Sequence, residues 1–354
     1  LLLIRLVQAV LGALTCGFVW RIAFHLTSDA RMATIAGLGL ALNPIFIIEN
    51  NSPTTETLFL FLLFWALALY IVAPPGALRA LAATGALMGL ATLTRAMLLL
   101  FPIGLALHLV LTCPWKRALR GTAVMLIVYT AVVSTWTVYT LVKFNRAVVG
   151  GGGLGDLLLV SVTGYKGGPY AVDEDYAKRN GGVVPTGSAR TEVAVNTVAS
   201  TVLGDPLGYL KTRLGQLGGA LLQPHQTPYF PGQSLKALAA EWLAQDRSLA
   251  GLGRLVNGEA FWPKLVLYVA HYLALLFGAI GIILSWRQWR AFAPLYGLIA
   301  YTLLLHFFLL ATPRYLLPMM PALWVFASVA MVRVWDKVRR AQAPGRYPAT
   351  TPIP

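Results

Sequence analysis

Apolar runs long enough to cross a bilayer alternate with short polar turns along most of the chain, and one long polar stretch interrupts them between residues 142 and 263. Runs that stay apolar on every face predict membrane-spanning helices, not the one-sided helices of a soluble core. On this pattern spans cover 1–24, 32–48, 57–73, 121–141, 264–285, 291–311 and 316–335. The stretch from Leu81 to Thr112 is apolar except for Arg95. At ~1.5 Å per residue it would measure about 48 Å, too long for one span at ordinary tilt. A division at Arg95 into two short spans is predicted, with Arg95 at a hairpin tip. The expected fold is therefore an all-α polytopic membrane protein with about nine transmembrane helices and one large external loop domain. Its expected parts are 1–141 (about six spans), 142–263 (loop domain), 264–335 (three spans) and 336–354 (cytoplasmic tail).

The turn from Glu49 to Glu56 has two carboxylates and the pair Ser52-Pro53. Serine followed by proline predicts a helix N-cap and first helical position, because proline lacks the N–H that a first turn leaves unpaired. In the polar stretch, Asp205-Pro206 precedes Leu207, Leu210, Leu214, Leu217 and Leu221. These spacings of three and four residues make one apolar stripe, as in a helix lying along a membrane surface. A second stripe, Leu235, Leu238, Trp242 and Leu249, is interrupted by Gln245 and Asp246.

Composition agrees with the pattern: hydrophobic residues make up 57% of the 354 and charged ones 12%, against about 25% charged in soluble domains. The net charge of +15 would suggest a nucleic-acid partner in a soluble protein. Here the basic residues flank apolar spans, which the positive-inside rule explains without nucleic acid. With nine spans, Arg31, Arg79, Lys116, Arg117, Arg120, Arg287, Arg290, Lys337, Arg339, Arg340 and Arg346 share one side, expected to be cytoplasmic. The Glu49–Glu56 turn, Arg95, the polar stretch and Arg314 are then external. Trp115, Trp262, Trp286, Trp289 and Trp335 stand at span ends, as an interfacial aromatic belt requires. Cys16 and Cys113 offer neither a disulfide framework nor metal spacing. The first residue is a leucine inside an apolar run, so a preceding segment is expected. The short basic tail and the lack of organelle signals suit a bacterial inner (plasma) membrane.

Nine of the 13 acidic residues lie between 142 and 263, which leaves Asp29, Glu49, Glu56 and Asp336 for the rest. Ionisable groups at the membrane edge are functional candidates, and three kinds gather on the external side: Glu49 and Glu56, Arg95 and Arg314, and Tyr315. Arginine presents a planar fork that grips two phosphate oxygens at once. Each residue also has a plainer reading: Glu56 could favour a helix dipole and either arginine could snorkel to lipid headgroups. The glycines between Gly150 and Gly155 lack the Lys-Ser/Thr of a phosphate loop and read as a flexible loop. Asp173, Glu174 and Asp175 could offer oxygens to a divalent cation, but a solvated acidic turn is the better reading. His271 and His306 lack a second metal ligand at helical spacing and read as core histidines or lipid-face positions, not as metal ligands. No metal or other cofactor is expected to be required.

Several motifs stand in one order: Asn43-Pro44 with Glu56 before an apolar run, Gly89-Leu-Ala-Thr-Leu-Thr-Arg95, Trp136 leading to Lys143-Phe-Asn-Arg146, and Pro313-Arg314-Tyr315-Leu-Leu-Pro318. Together they resemble the GT-C membrane glycosyltransferases, in the branch of protein O-mannosyltransferases and lipid A aminoarabinose transferases. The resemblance implies a polyprenyl-phosphate sugar donor, a lipid, glycan or protein acceptor, and inverting transfer to an acceptor hydroxyl on the external face. It implies supporting roles for Glu56, in the acceptor or donor pocket, and for Arg95 and Arg314, at the lipid phosphate; Glu49 and Tyr315 join the candidate substrate-binding set by their external position. The family's principal catalytic Asp belongs to a loop upstream of this sequence, so no catalytic base is assigned. The alternatives are a transporter or flippase of a lipid-linked sugar and a non-catalytic membrane subunit. Transporters place polar groups near the midplane, often in matched halves, whereas these charges lie at one face without an internal repeat.

Overall fold

The computed structural model describes residues 1–145, 148–149, 157–158, 160–161, 187–225, 227–245 and 247–342. Arg146, the Gly150–Gly155 run, Asp173–Asp175, Asp246 and Arg346 lie outside them. Among the described residues every regular element is helical. In the N-terminal part α1 covers Leu2–Thr27, α2 Ala30–Ala41, α3 Pro44–Asn51, α4 Glu56–Val72, α5 Leu78–Thr94, α6 Phe101–Thr112 and α7 Trp115–Phe144. The polar stretch contains α8 (Gly187–Gly204), α9 (Pro206–Leu222), α10 (Leu235–Gln245) and α11 (Leu249–Val256). The chain then returns through α12 (Phe261–Ser285), α13 (Trp289–Phe308) and α14 (Met320–Gln342).

Among the described residues four helical stretches are long and apolar enough to cross a membrane, and the bent pair α2–α3 would make a fifth. Helices α4, α5 and α6 are apolar but shorter. The outward faces are themselves apolar: Leu3, Leu6, Val7, Val10 and Leu14 of α1 are all exposed, which would be costly in water and suits a surface facing lipid. Helix α14 is the most enclosed of the long apolar helices and packs against α12 and α2. The five tryptophans expected at span ends are all exposed; Trp115, Trp262, Trp286 and Trp289 stand at helix ends, whereas Trp335 lies inside α14, which continues to Gln342.

Close packing of α5 on α7 and of α12 on α14 rests on glycines. A methyl group at Gly85 would overlap the Met125 carbonyl oxygen, and one at Gly281 the Phe326 carbonyl oxygen. Small residues let helix backbones approach in a setting where lipid tails are as apolar as leucine and the hydrophobic effect gives no preference.

The structure corrects several local expectations. The N-cap and proline that start a helix are Asn43-Pro44, not Ser52-Pro53: Asn43 Oδ1 accepts from Ile45 N at 3.0 Å, and α2 and α3 meet at 49°. Ser52 instead closes α3, and α4 begins at Glu56 without a side-chain cap bond. The expected single span 32–48 is therefore a broken one. Removing the Asn43 cap should cost about 1 kcal/mol, so Asn43→Ala should melt measurably earlier in detergent while Ser52→Ala stays near wild type. The supposed loop residues Lys116, Arg117 and Arg120 belong to the first turns of α7, which starts just after Pro114. The split near Arg95 is present: α5 ends at Thr94, a 3-10 turn covers Ala96–Leu98, and α6 follows.

The polar stretch is bound to the membrane helices through backbone carbonyls. On α9, Asp205 caps the start by accepting from Gly208 N at 2.9 Å. Leu207, Leu210 and Leu214 are exposed, whereas Leu217 and Leu221 pack on the core. At its other end His271 Nε2 donates to Leu221 O at 2.7 Å and Tyr272 to Leu222 O at 3.0 Å. Lys264, buried at the start of α12, donates to the carbonyls of Pro231 at 2.6 Å and Gln233 at 2.8 Å. A cation shielded from water finds its partners in these carbonyl dipoles.

Candidate functional site

Glu56 occupies the first position of α4 and its side chain is only 2% exposed. Arg95 follows the last residue of α5 with an extended backbone, which turns its side chain off the helix end. Arg314 lies in the turn between α13 and α14. Arg95 Nη1 and Arg314 Nε both donate to the same oxygen, Glu56 Oε1. Three charges that lie 39 and 258 residues apart in sequence thus share one point. Two guanidiniums around one carboxylate leave an excess positive charge, and each arginine keeps further N–H donors. The Glu56 hydrogen bond raises the Arg314 pKa further above its ordinary value. The second carboxylate oxygen, Glu56 Oε2, is buried and has no hydrogen-bond partner among the described residues.

Aromatic rings fix the arginine. The Arg95 guanidinium carbon lies 5.5 Å from the Tyr315 ring centroid and 6.0 Å from that of Phe59, within the range of cation–π attraction. Tyr315 stacks in turn on His306, with centroids 5.3 Å apart. His306 Nδ1 donates to Leu310 O at 3.0 Å. The ring is thereby committed to a helix end and buried, a core position and not the lipid-facing alternative. His271, capping α9, is buried likewise.

Arg213 explains why Arg314 and Tyr315 stand where they do. This buried residue of α9 donates to Phe307 O at 2.6 Å, to His306 O at 3.2 Å and to Leu309 O. The last carbonyls of a helix have no partner within it, and here an arginine from the polar stretch supplies one. The end of α13 is tied down just before the Thr312-Pro313-Arg314-Tyr315 turn. Its sequence signal was slight: with Lys211 it is one of two basic residues between Leu210 and Leu217, and spacing alone does not tell them apart.

Glu49 belongs to a neighbouring cluster. Its carboxylate accepts from Thr54 Oγ1 at 2.5 Å and pairs with His225 Nε2 at 3.0 Å. Its charge also acts on Arg314. Sequence reasoning singled out Glu49 and missed His225, because the partners are 176 residues apart. The structure brings Glu56, Arg95, Arg314 and Tyr315 together and sets Glu49 beside them with its own partner. Among the described residues, no three His, Cys, Asp or Glu side chains gather as metal ligands would.

Two arginines gathered on a buried acid, carried by apolar helices, present N–H donors of the kind that an anionic group accepts from. Residues 2–144 match the family of dolichyl-phosphate-mannose-protein mannosyltransferases. The match covers less than half of the chain, and within it lie Glu49, Glu56 and Arg95, so this region is similar to that family of membrane mannosyltransferases. Arg314 and His225 lie beyond it. Neither curated proteins nor solved structures gave a match.

Proposed function

We propose that the protein moves a sugar from a polyprenyl-phosphate donor to an acceptor hydroxyl on the external face of the membrane, with inversion. The convergence of Arg95 and Arg314 on Glu56 carries this reading, because it preassembles positive charge where a leaving phosphate would need it. In the step, the acceptor oxygen forms a bond to the sugar's anomeric carbon and gives up its proton to a base. The bond between that carbon and the phosphate oxygen breaks, and its electron pair leaves with the phosphate. Donors fixed before the reaction stabilise such developing charge without reorganisation. Glu56 acts as a positioning residue, holding both guanidiniums by one oxygen so that their remaining N–H groups face the phosphate. Tyr315 supports Arg95 from its ring face. The Glu49–His225 pair borders the site, and the match to mannosyltransferases makes a hexose the first sugar to test.

The same reading counts nine spans, as α1, α2–α3, α4, α5, α6, α7, α12, α13 and α14, with α8 to α11 external. In a background lacking Cys16 and Cys113, a membrane-impermeant maleimide added to whole cells should label Ser200→Cys, which is exposed on α8, and spare Arg117→Cys. Labelling of Arg117→Cys alone would reverse the orientation and place the arginine cluster on the wrong side for an external donor.

A further inference from the structure

At the end of the helix pair α2 and α14 away from the arginine cluster, a groove of about 740 Å³ opens between Arg31, Ile35, Met331, Val332, Trp335 and Arg339. Its floor is apolar. Its walls are charged but not equally available. Arg31 is committed: it donates to Asp29 through Nε and Nη2 and to Asp336 through Nη1 and Nη2. This network ties the start of α2 to α14 and shares one cation between two acids, so Arg31 has no charge to spare for a ligand.

Arg339 differs. Its guanidinium carbon lies 4.9 Å from the Trp335 ring centroid, and among the described residues it forms no ion pair with a carboxylate. A guanidinium resting on a ring face keeps its in-plane N–H donors for another acceptor. Lys337 and Arg340, both exposed, add charge at the same helix end. Trp335 is itself 56% exposed, an amphipathic ring between an apolar floor and a cationic mouth, as interfacial tryptophans are.

We propose that this groove is a binding site for an anionic phospholipid, whose phosphate meets Arg339 and whose acyl chain lies along Ile35, Met331 and Trp335. The two halves of the site select for this class. A zwitterionic headgroup would bring its own cation towards Arg339, and free phosphate would leave the apolar floor uncovered. On the orientation proposed above, the groove opens to the cytoplasmic leaflet, where anionic lipids attract basic residues. The binding itself does not depend on that orientation or on the glycosyltransferase reading.

The test uses the full chain in nanodiscs of phosphatidylcholine doped with brominated phosphatidylglycerol or brominated phosphatidylcholine. Tryptophan quenching lost in Trp335→Phe reports on the groove. Wild type should be quenched at lower doping by phosphatidylglycerol than by phosphatidylcholine, and Arg339→Gln should weaken that preference about fivefold. Arg287→Gln, an exposed arginine outside the groove, should leave it unchanged, and millimolar inorganic phosphate should not compete. Equal losses in Arg339→Gln and Arg287→Gln would reduce the effect to general surface charge and overturn the site, as would competition by phosphate or absence of preference in wild type. If the chain's own end fills the groove, preference would emerge only after deletion of residues 343–354, which would also overturn it.

Discussion

Alanine at Arg95 or Arg314 is expected to lower sugar transfer from a polyprenyl-phosphate donor by roughly 100 to 1,000-fold, the range for losing one preorganised donor to developing charge. Lysine at either position keeps the charge but loses the planar fork, so its loss should be smaller than that of alanine. The geometry separates this loss from simple misfolding. Glu56 Oε1 has two cationic partners, so removing one arginine leaves the buried carboxylate still paired. Glu56→Gln does the opposite and leaves two guanidiniums without their shared anion. Removing one partner from a buried charge pair is more damaging than the pair's net worth, although the 44% exposure of Arg314 lets water relieve part of that cost. The arginine variants should therefore melt close to wild type yet transfer poorly, whereas Glu56→Gln should lose both melting temperature and turnover. Near-normal transfer by Arg95→Ala and Arg314→Ala in folded protein would remove the phosphate role from this cluster.

The second large effect is on assembly. Gly281→Val is expected to destabilise the protein by at least about 1–3 kcal/mol, the usual cost of overpacking, and to reduce its yield from membranes. The side chain would meet the Phe326 carbonyl oxygen, a backbone atom in the enclosed helix α14 that cannot swing aside as a flexible side chain could. Gly85→Val, against the Met125 carbonyl oxygen, should act the same way at the α5–α7 contact. Gly104 on α6 has nothing near its missing Cβ, so Gly104→Ala should be neutral or slightly stabilising through better helix propensity. Thermal unfolding in detergent compares the three. Wild-type melting of Gly281→Val would mean that α12 and α14 do not pack as described.

The sequence by itself determined what depends on neighbours along the chain. Apolar runs set the helices, because a backbone in lipid must satisfy its own hydrogen bonds, and Asp205-Pro206 marked the start of α9 because capping is a contact across three residues. The helix break at Arg95 was legible from length alone. The choice between Asn43-Pro44 and Ser52-Pro53 was not, since both carry a capping oxygen followed by proline and only packing distinguishes them. Glu56, Arg95 and Arg314 were visible as rare charges between apolar runs, but their meeting at one oxygen was not. The tertiary structure alone decided which way each polar side chain turns. Arg213 reached the end of α13 and His225 reached Glu49 across 94 and 176 residues, since a buried polar group takes whatever partner the fold carries to it, and sequence spacing does not encode that distance.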